Sequence, residues 1–121
     1  MYLKITDQAQ KKLSSYVNEN TIVILDMDDG AGEYSKVGFC SLDMSFRILI
    51  LNSSQSKKDY DALVESSIGD IYIKDYSKRY LDEEMTLDFD QRLHTLNLKT
   101  PSGTLDSSVQ IVDLRPERTT G

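Results

Sequence analysis

The sequence predicts a mainly β fold of the α+β class, a sandwich or barrel-like pair of sheets with one N-terminal helix packed against it. Three observations lead there. A helical apolar stripe occurs once, near the start, at Ala9, Leu13, Tyr16 and Val17. About six or seven short segments after it are either unbroken β-branched runs or strict apolar–polar alternations. These strands do not alternate with helices, so a Rossmann arrangement is not expected.

Taken in order, Tyr2 to Ile5 reads as a short edge strand, and Thr6 or Asp7 as the N-cap of a helix over "DQAQKKLSSYVNEN", with Asn18 and Asn20 as stops. "TIVILDM" (Thr21 to Met27) and "MSFRILILN" (Met44 to Asn52) are almost wholly apolar, as strands buried on both faces are. "SSQSKKD" is a polar connection, and "YDALVESS" predicts a short helical turn. "IGDIYIKDY" is a strand with Ile71 and Ile73 on one face, and the helical spacing of Tyr76 and Tyr80 predicts that both pack into the core. Met85, Leu87 and Phe89 point inward in "MTLDFD", and Leu96 and Leu98 do so in "LHTLNLKT". His94 lies two residues before Leu96 and is expected on the same apolar face. "TPSG" (Thr100 to Gly103) fits a type I turn, and Val109 and Ile111 share a face in the last strand. No internal repeat or linker divides the chain, so residues 1–121 are expected to form a single domain with a polar tail from about residue 115.

The bulk numbers narrow the function classes. With 121 residues, 39% hydrophobic and 28% charged, the chain is long enough for one core and reads as globular. A net charge of −6 with scattered lysines and arginines argues against nucleic acid. No apolar run approaches the roughly 18 residues needed to cross a bilayer, and no basic-then-apolar leader is visible. A single cysteine cannot form a disulfide within the chain, so a cytoplasmic location is expected. The lone His lacks any partner for a Ser-His-Asp triad and no G-x-S-x-G occurs, so no enzyme is expected.

One stretch stands out: "LDMDDGAGEYSKVGFCSLD", Leu25 to Asp43, between the two longest apolar runs. A calcium EF-hand loop beginning at Asp26 has Gly30 at position five, Ala31 at six and Val37 at twelve. With Gly30 at position six, Leu25 falls at one and Lys36 at twelve, so neither frame supplies the ligands. A G-x-G begins at Gly30 and Gly32, but Ser35 stands where the third glycine belongs and no G-K-[ST] follows. Asp and Gly favour turns, yet Asp28 to Asp43 exceeds the roughly 12 residues typical of unstructured connections and carries Tyr34, Val37, Phe39, Cys40 and Leu42. An ordered, functional connection is expected.

The helix, the apolar strand, the glycine-containing loop ending in Gly38-Phe39-Cys40-Ser41 and the second apolar strand together resemble the HesB-like family of iron–sulfur cluster assembly proteins, the A-type carriers. "IYIKDYSKRYLDEEMTLDFD" and "LNLKTPSG" extend the resemblance to about Gly103, and the wording around Cys40 looks more like a short, cysteine-poor branch. The resemblance implies a compact mixed β fold, a homo-oligomer, and iron or an iron–sulfur cluster bound through three cysteines. Cys40 matches the first of them. The C-terminal Cys-x-Cys has no counterpart in "TLDSSVQIVDLRPERTTG". Clusters are usually held by four thiolates, or by two with two imidazoles. One chain offers one thiol and one imidazole, so four thiolates require four chains.

The resulting expectation is an accessory protein that binds or carries iron or a cluster. Cys40 is the candidate cluster ligand, Asp28, Asp29 and Asp43 are candidate oxygen donors to Fe(II), and His94 is a further metal candidate. Its partners would be further copies of itself and iron–sulfur assembly proteins or apo-acceptors, with no nucleic acid and no membrane. For each residue a plainer role competes: Cys40 as a small buried apolar residue, His94 as a core or rim residue, Asp26 as a turn cap. Two other functions remain open, an interaction module that kept the scaffold without metal, and a divalent-cation binder using the loop from Asp26 to Asp29.

Overall fold

The computed structural model describes residues 1–28 and 45–115. Its elements are β1 (Tyr2–Ile5), α1 (Asp7–Ser14), β2 (Thr21–Asp28), β3 (Ser45–Asn52), β4 (Ala62–Ser66), β5 (Gly69–Ile73), a 3-10 segment (Asp75–Tyr80), β6 (Glu84–Asp90), β7 (Thr95–Thr100) and β8 (Gly103–Asp113). The mainly β expectation holds, and of the sandwich and barrel alternatives the barrel is found. One sheet closes on itself in the order β1-β4-β5-β2-β3-β8-β7-β6. Strands consecutive in sequence make the antiparallel pairs β2–β3, β4–β5, β6–β7 and β7–β8, whereas β1–β4, β1–β6, β2–β5 and β3–β8, distant in sequence, pair in parallel. Closure means that β1 is not the edge strand expected, because it hydrogen-bonds to β4 on one side and β6 on the other.

Period-two alternation fills the interior. Leu3, Leu25, Ile48, Val64, Ile71, Leu87 and Leu98 point inward and are essentially inaccessible to solvent, so the barrel encloses a packed core. The central pair, β2 and β3, is buried a second time. Its outward residues Ile24, Leu49 and Leu51 form a second cluster under Tyr60, which lies in the connection after β3. That double burial is why both strands read as unbroken apolar runs.

Helix α1 packs on the barrel through Ala9 and Leu13. Its N-cap is Thr6, whose hydroxyl accepts from the Ala9 amide at 3.3 Å and donates to Asp88 Oδ1 at 2.8 Å, tying the helix to β6. The helix is shorter than the sequence predicts. It ends at Ser14, and the amides of Tyr16 and Val17 both turn back to the Leu13 carbonyl, while the two side chains still pack against the core.

Three local expectations are corrected. "YDALVESS" contains strand β4 rather than a helical turn: Val64 faces the core, Leu63 faces out, and barrel neighbours on both sides hold the segment extended. Gly69, at φ 110, makes the sharp return into β5. Tyr76 and Tyr80 sit on the 3-10 segment as expected but are 45% and 41% exposed, because a three-residue turn directs Ser77 inward instead. His94 does not lie on the inner face of a strand. It ends the turn between β6 and β7 at φ 56, exposed, and β7 begins only at Thr95. Among the described residues no helix is long and apolar enough to cross a membrane.

Candidate functional site at the root of the β2–β3 hairpin

The two central strands pair without interruption from Thr21 opposite Asn52 to Asp28 opposite Ser45. The segment between them in sequence, which carries Asp29, Cys40 and Asp43, therefore departs and returns at adjacent positions of one barrel end. Cys40, Asp29 and Asp43 lie outside the described residues, as does the side chain of Asp28.

A buried charge cluster pins this root. The outward face of β2 is apolar at Ile22 and Ile24, and the next outward position is Asp26, with no exposure. Antiparallel register sets Arg47 of β3 directly opposite Asp26. Parallel register sets Tyr72 of β5 beside Ile24, which brings Lys74, two residues on, beside Asp26. Arg47 Nε donates to Asp26 Oδ2 at 2.8 Å. The Lys74 ammonium stands 3.3 Å from Oδ1 as an ion pair and donates to the Met27 carbonyl at 3.0 Å. Arg47 and Lys74 are only 6% and 2% exposed. Burial, and then the Asp26 charge beside it, push the Tyr60 phenol well above its usual range, so it stays protonated over the carboxylate.

These contacts correct two readings of Asp26. It lies inside a strand and caps no turn, and its carboxylate is committed to two buried cations, so it is not an open cation ligand and the loop does not begin with it. Two cations sharing one carboxylate at full burial make a pin rather than a reactive group, since every member is held by an opposite charge. Asp106 of β8 adds a second fastening, accepting from the Phe46 amide at 2.9 Å and the Ser108 amide at 2.8 Å. Sequence reasoning passed over Arg47, Lys74 and Asp106. A lone charge inside each apolar run, at Asp26 and Arg47, was the available signal for the first pair.

The structure does not bring His94 to the root. His94 sits on the β6–β7 turn, outside the Asp26–Arg47–Lys74 cluster. There the imidazole leans on Phe89, with ring centroids 6.3 Å apart and planes inclined by 60°. Among the described residues no three His, Cys, Asp or Glu side chains converge as a metal site would require.

The described residues form a small mixed barrel scaffold, pinned by buried charges at the root of the β2–β3 hairpin. The sequence says which scaffold. The chain belongs to the iron–sulfur cluster biosynthesis family, whose profile, described as "Iron-sulphur cluster biosynthesis", matches residues 1–113. Solved structures agree. A Lactobacillus salivarius protein described as a candidate Fe-S biosynthesis protein with a novel fold superposes with a TM-score of 0.86 at 39% identity, covering 96% of this chain and 100% of that one. A second, from Lactobacillus acidophilus and described likewise, gives 0.74 at 30% identity over 93% and 90% of the two chains. No curated protein matches the chain.

Proposed function

We propose that the protein is a non-enzymatic accessory of iron–sulfur cluster biosynthesis that binds or carries iron or a cluster as cargo, with Cys40 as its thiolate ligand. The observation that carries this is the family match over residues 1–113, which includes Cys40 and the hairpin that bears it. The pinned root supports it, because a rigid base limits the positions a ligand on the connection can take. One thiol per chain cannot complete a cluster, so the cargo would sit between copies of the chain or between this chain and an assembly protein or apo-acceptor, in the cytoplasm. Asp28, Asp29 and Asp43 would add hard oxygen donors toward Fe(II). Anaerobic incubation with iron and sulfide should give a coloured protein with visible thiolate-to-iron absorption. A colourless, iron-free product would overturn the proposal.

A second reading is favoured by the same cysteine count: a scaffold that recruits partners without metal. In that case a pull-down recovers the same partners with wild type and Cys40→Ser, and neither carries iron.

A further inference from the structure

A groove of about 310 Å³ lies between α1, the β6–β7 turn and β8. That is the lower end of the roughly 300–1,000 Å³ of small-molecule clefts. Its character differs from the rest of the molecule. The chain carries a net charge of −6, yet none of the described lining residues is acidic. The cationic group is Lys12, whose ammonium lies 5.7 Å from the centre of the Phe89 ring. His94 leans on the same ring from the turn, and Tyr16 adds a second aromatic side chain to the walls.

Two further details concern how the groove is built. His94 occupies a left-handed backbone position, at φ 56, where glycine or asparagine costs less. The turn thus carries some strain while keeping an imidazole on the groove wall. Thr95, next in the chain, also lines the groove, and its hydroxyl is buried without a hydrogen-bond partner among the described residues. An orphan hydroxyl is unfavourable, and rotation about χ1 toward an acceptor in the groove would satisfy it.

From these placements we propose that this groove is a binding site for a small aromatic carboxylate, with Lys12 facing the carboxylate and Phe89, Tyr16 and His94 contacting the ring. The proposal does not rest on the iron reading. A cation would meet Lys12 in a groove without a counter-charge, and a purely apolar guest would leave the buried Thr95 hydroxyl without an acceptor.

The sole histidine provides a single Cε1–H imidazole signal for proton NMR. Titration of the full chain with benzoate should shift that signal saturably, with a Kd of about 1 mM or tighter. Benzamide, its neutral isostere, and benzylamine, its cationic counterpart, should bind at least roughly fivefold more weakly, as should benzoate to Lys12→Gln, the loss expected for one charge-assisted contact. Lys11→Gln, one residue along the same helix, should leave the titration unchanged. His94→Gly relieves the turn and is expected to fold, and amide shifts of Thr95 and Leu96 then report weakened benzoate binding. The proposal is overturned by an unsaturable response to benzoate, by equal affinity for benzamide, or by a Lys12→Gln titration identical to wild type.

Discussion

Replacing Asp26 with asparagine tests whether the buried charges hold the hairpin root. The substitution keeps the shape of the side chain and removes one charge, leaving Arg47 and Lys74 buried beside a neutral amide. A unit charge 3.3 Å from its partner gains about 5 kcal/mol at an effective dielectric of about 20, before any desolvation is counted. Removing one partner of a buried ionic cluster typically costs about 3–5 kcal/mol, because the remaining charges lose compensation that water cannot replace. For a domain of 121 residues this would lower Tm by roughly 10–20 °C. Urea unfolding followed by far-ultraviolet circular dichroism suits a chain without tryptophan. Lys74→Met is the informative comparison. It removes one of the two cations and leaves the 2.8 Å Arg47–Asp26 pair, so it should cost less than Asp26→Asn. A loss below about 1 kcal/mol for Asp26→Asn, or the reverse order of the two variants, would refute the account of the cluster as a pin.

Other positions give independent tests. Thr6→Val removes the helix cap and should cost about 1 kcal/mol at neutral pH, measured by the same denaturation. The Thr6 hydroxyl is also the main cause holding the Asp88 carboxyl below its ordinary 3.8, so that link stabilises the fold above the ordinary value and is lost as pH falls through the folded value. The gap between wild type and Thr6→Val should therefore narrow below about pH 4, and a constant gap would remove Asp88 from the explanation. His94→Gly should raise stability by about 0.5–1 kcal/mol by relieving the left-handed turn, read as a higher Tm; a clear loss would show that the imidazole stabilises the turn. Gly69→Ala, at φ 110 with open space around the position, should cost about 1 kcal/mol or more through backbone strain alone, and a neutral result in urea unfolding would contradict the strained-turn reading.

The strands that carry the core were legible because period-two patterning is local. β6 shows it in Met85 and Leu87, and the doubly buried β2 and β3 show it by having almost no polar position at all. Closure into a barrel was not legible, since parallel pairing of β1 with both β4 and β6 joins residues about sixty to eighty positions apart and leaves no mark in either segment. The same distance explains the misread "YDALVESS": its polar, mixed sequence has weak local preference, and its neighbours in the sheet decide its conformation. His94 was misplaced because alternation was extended one turn too far, through a residue whose backbone is left-handed. At the site, Cys40 was singled out from its place in a family pattern, whereas the Asp26–Arg47–Lys74 cluster depends on two strand registers at once. An isolated aspartate at a strand end looks the same in sequence whether it caps a turn or anchors two cations.

Whether Cys40 holds iron or a cluster between chains is decided by anaerobic size-exclusion chromatography after loading with iron and sulfide. Visible absorbance and iron content are followed across the eluate for wild type and Cys40→Ser. Colour and iron from the wild type should elute with a species larger than the monomer, and Cys40→Ser should elute colourless and free of iron. Iron retained equally by Cys40→Ser, or a wild type that stays colourless at every elution volume, would contradict that role of Cys40.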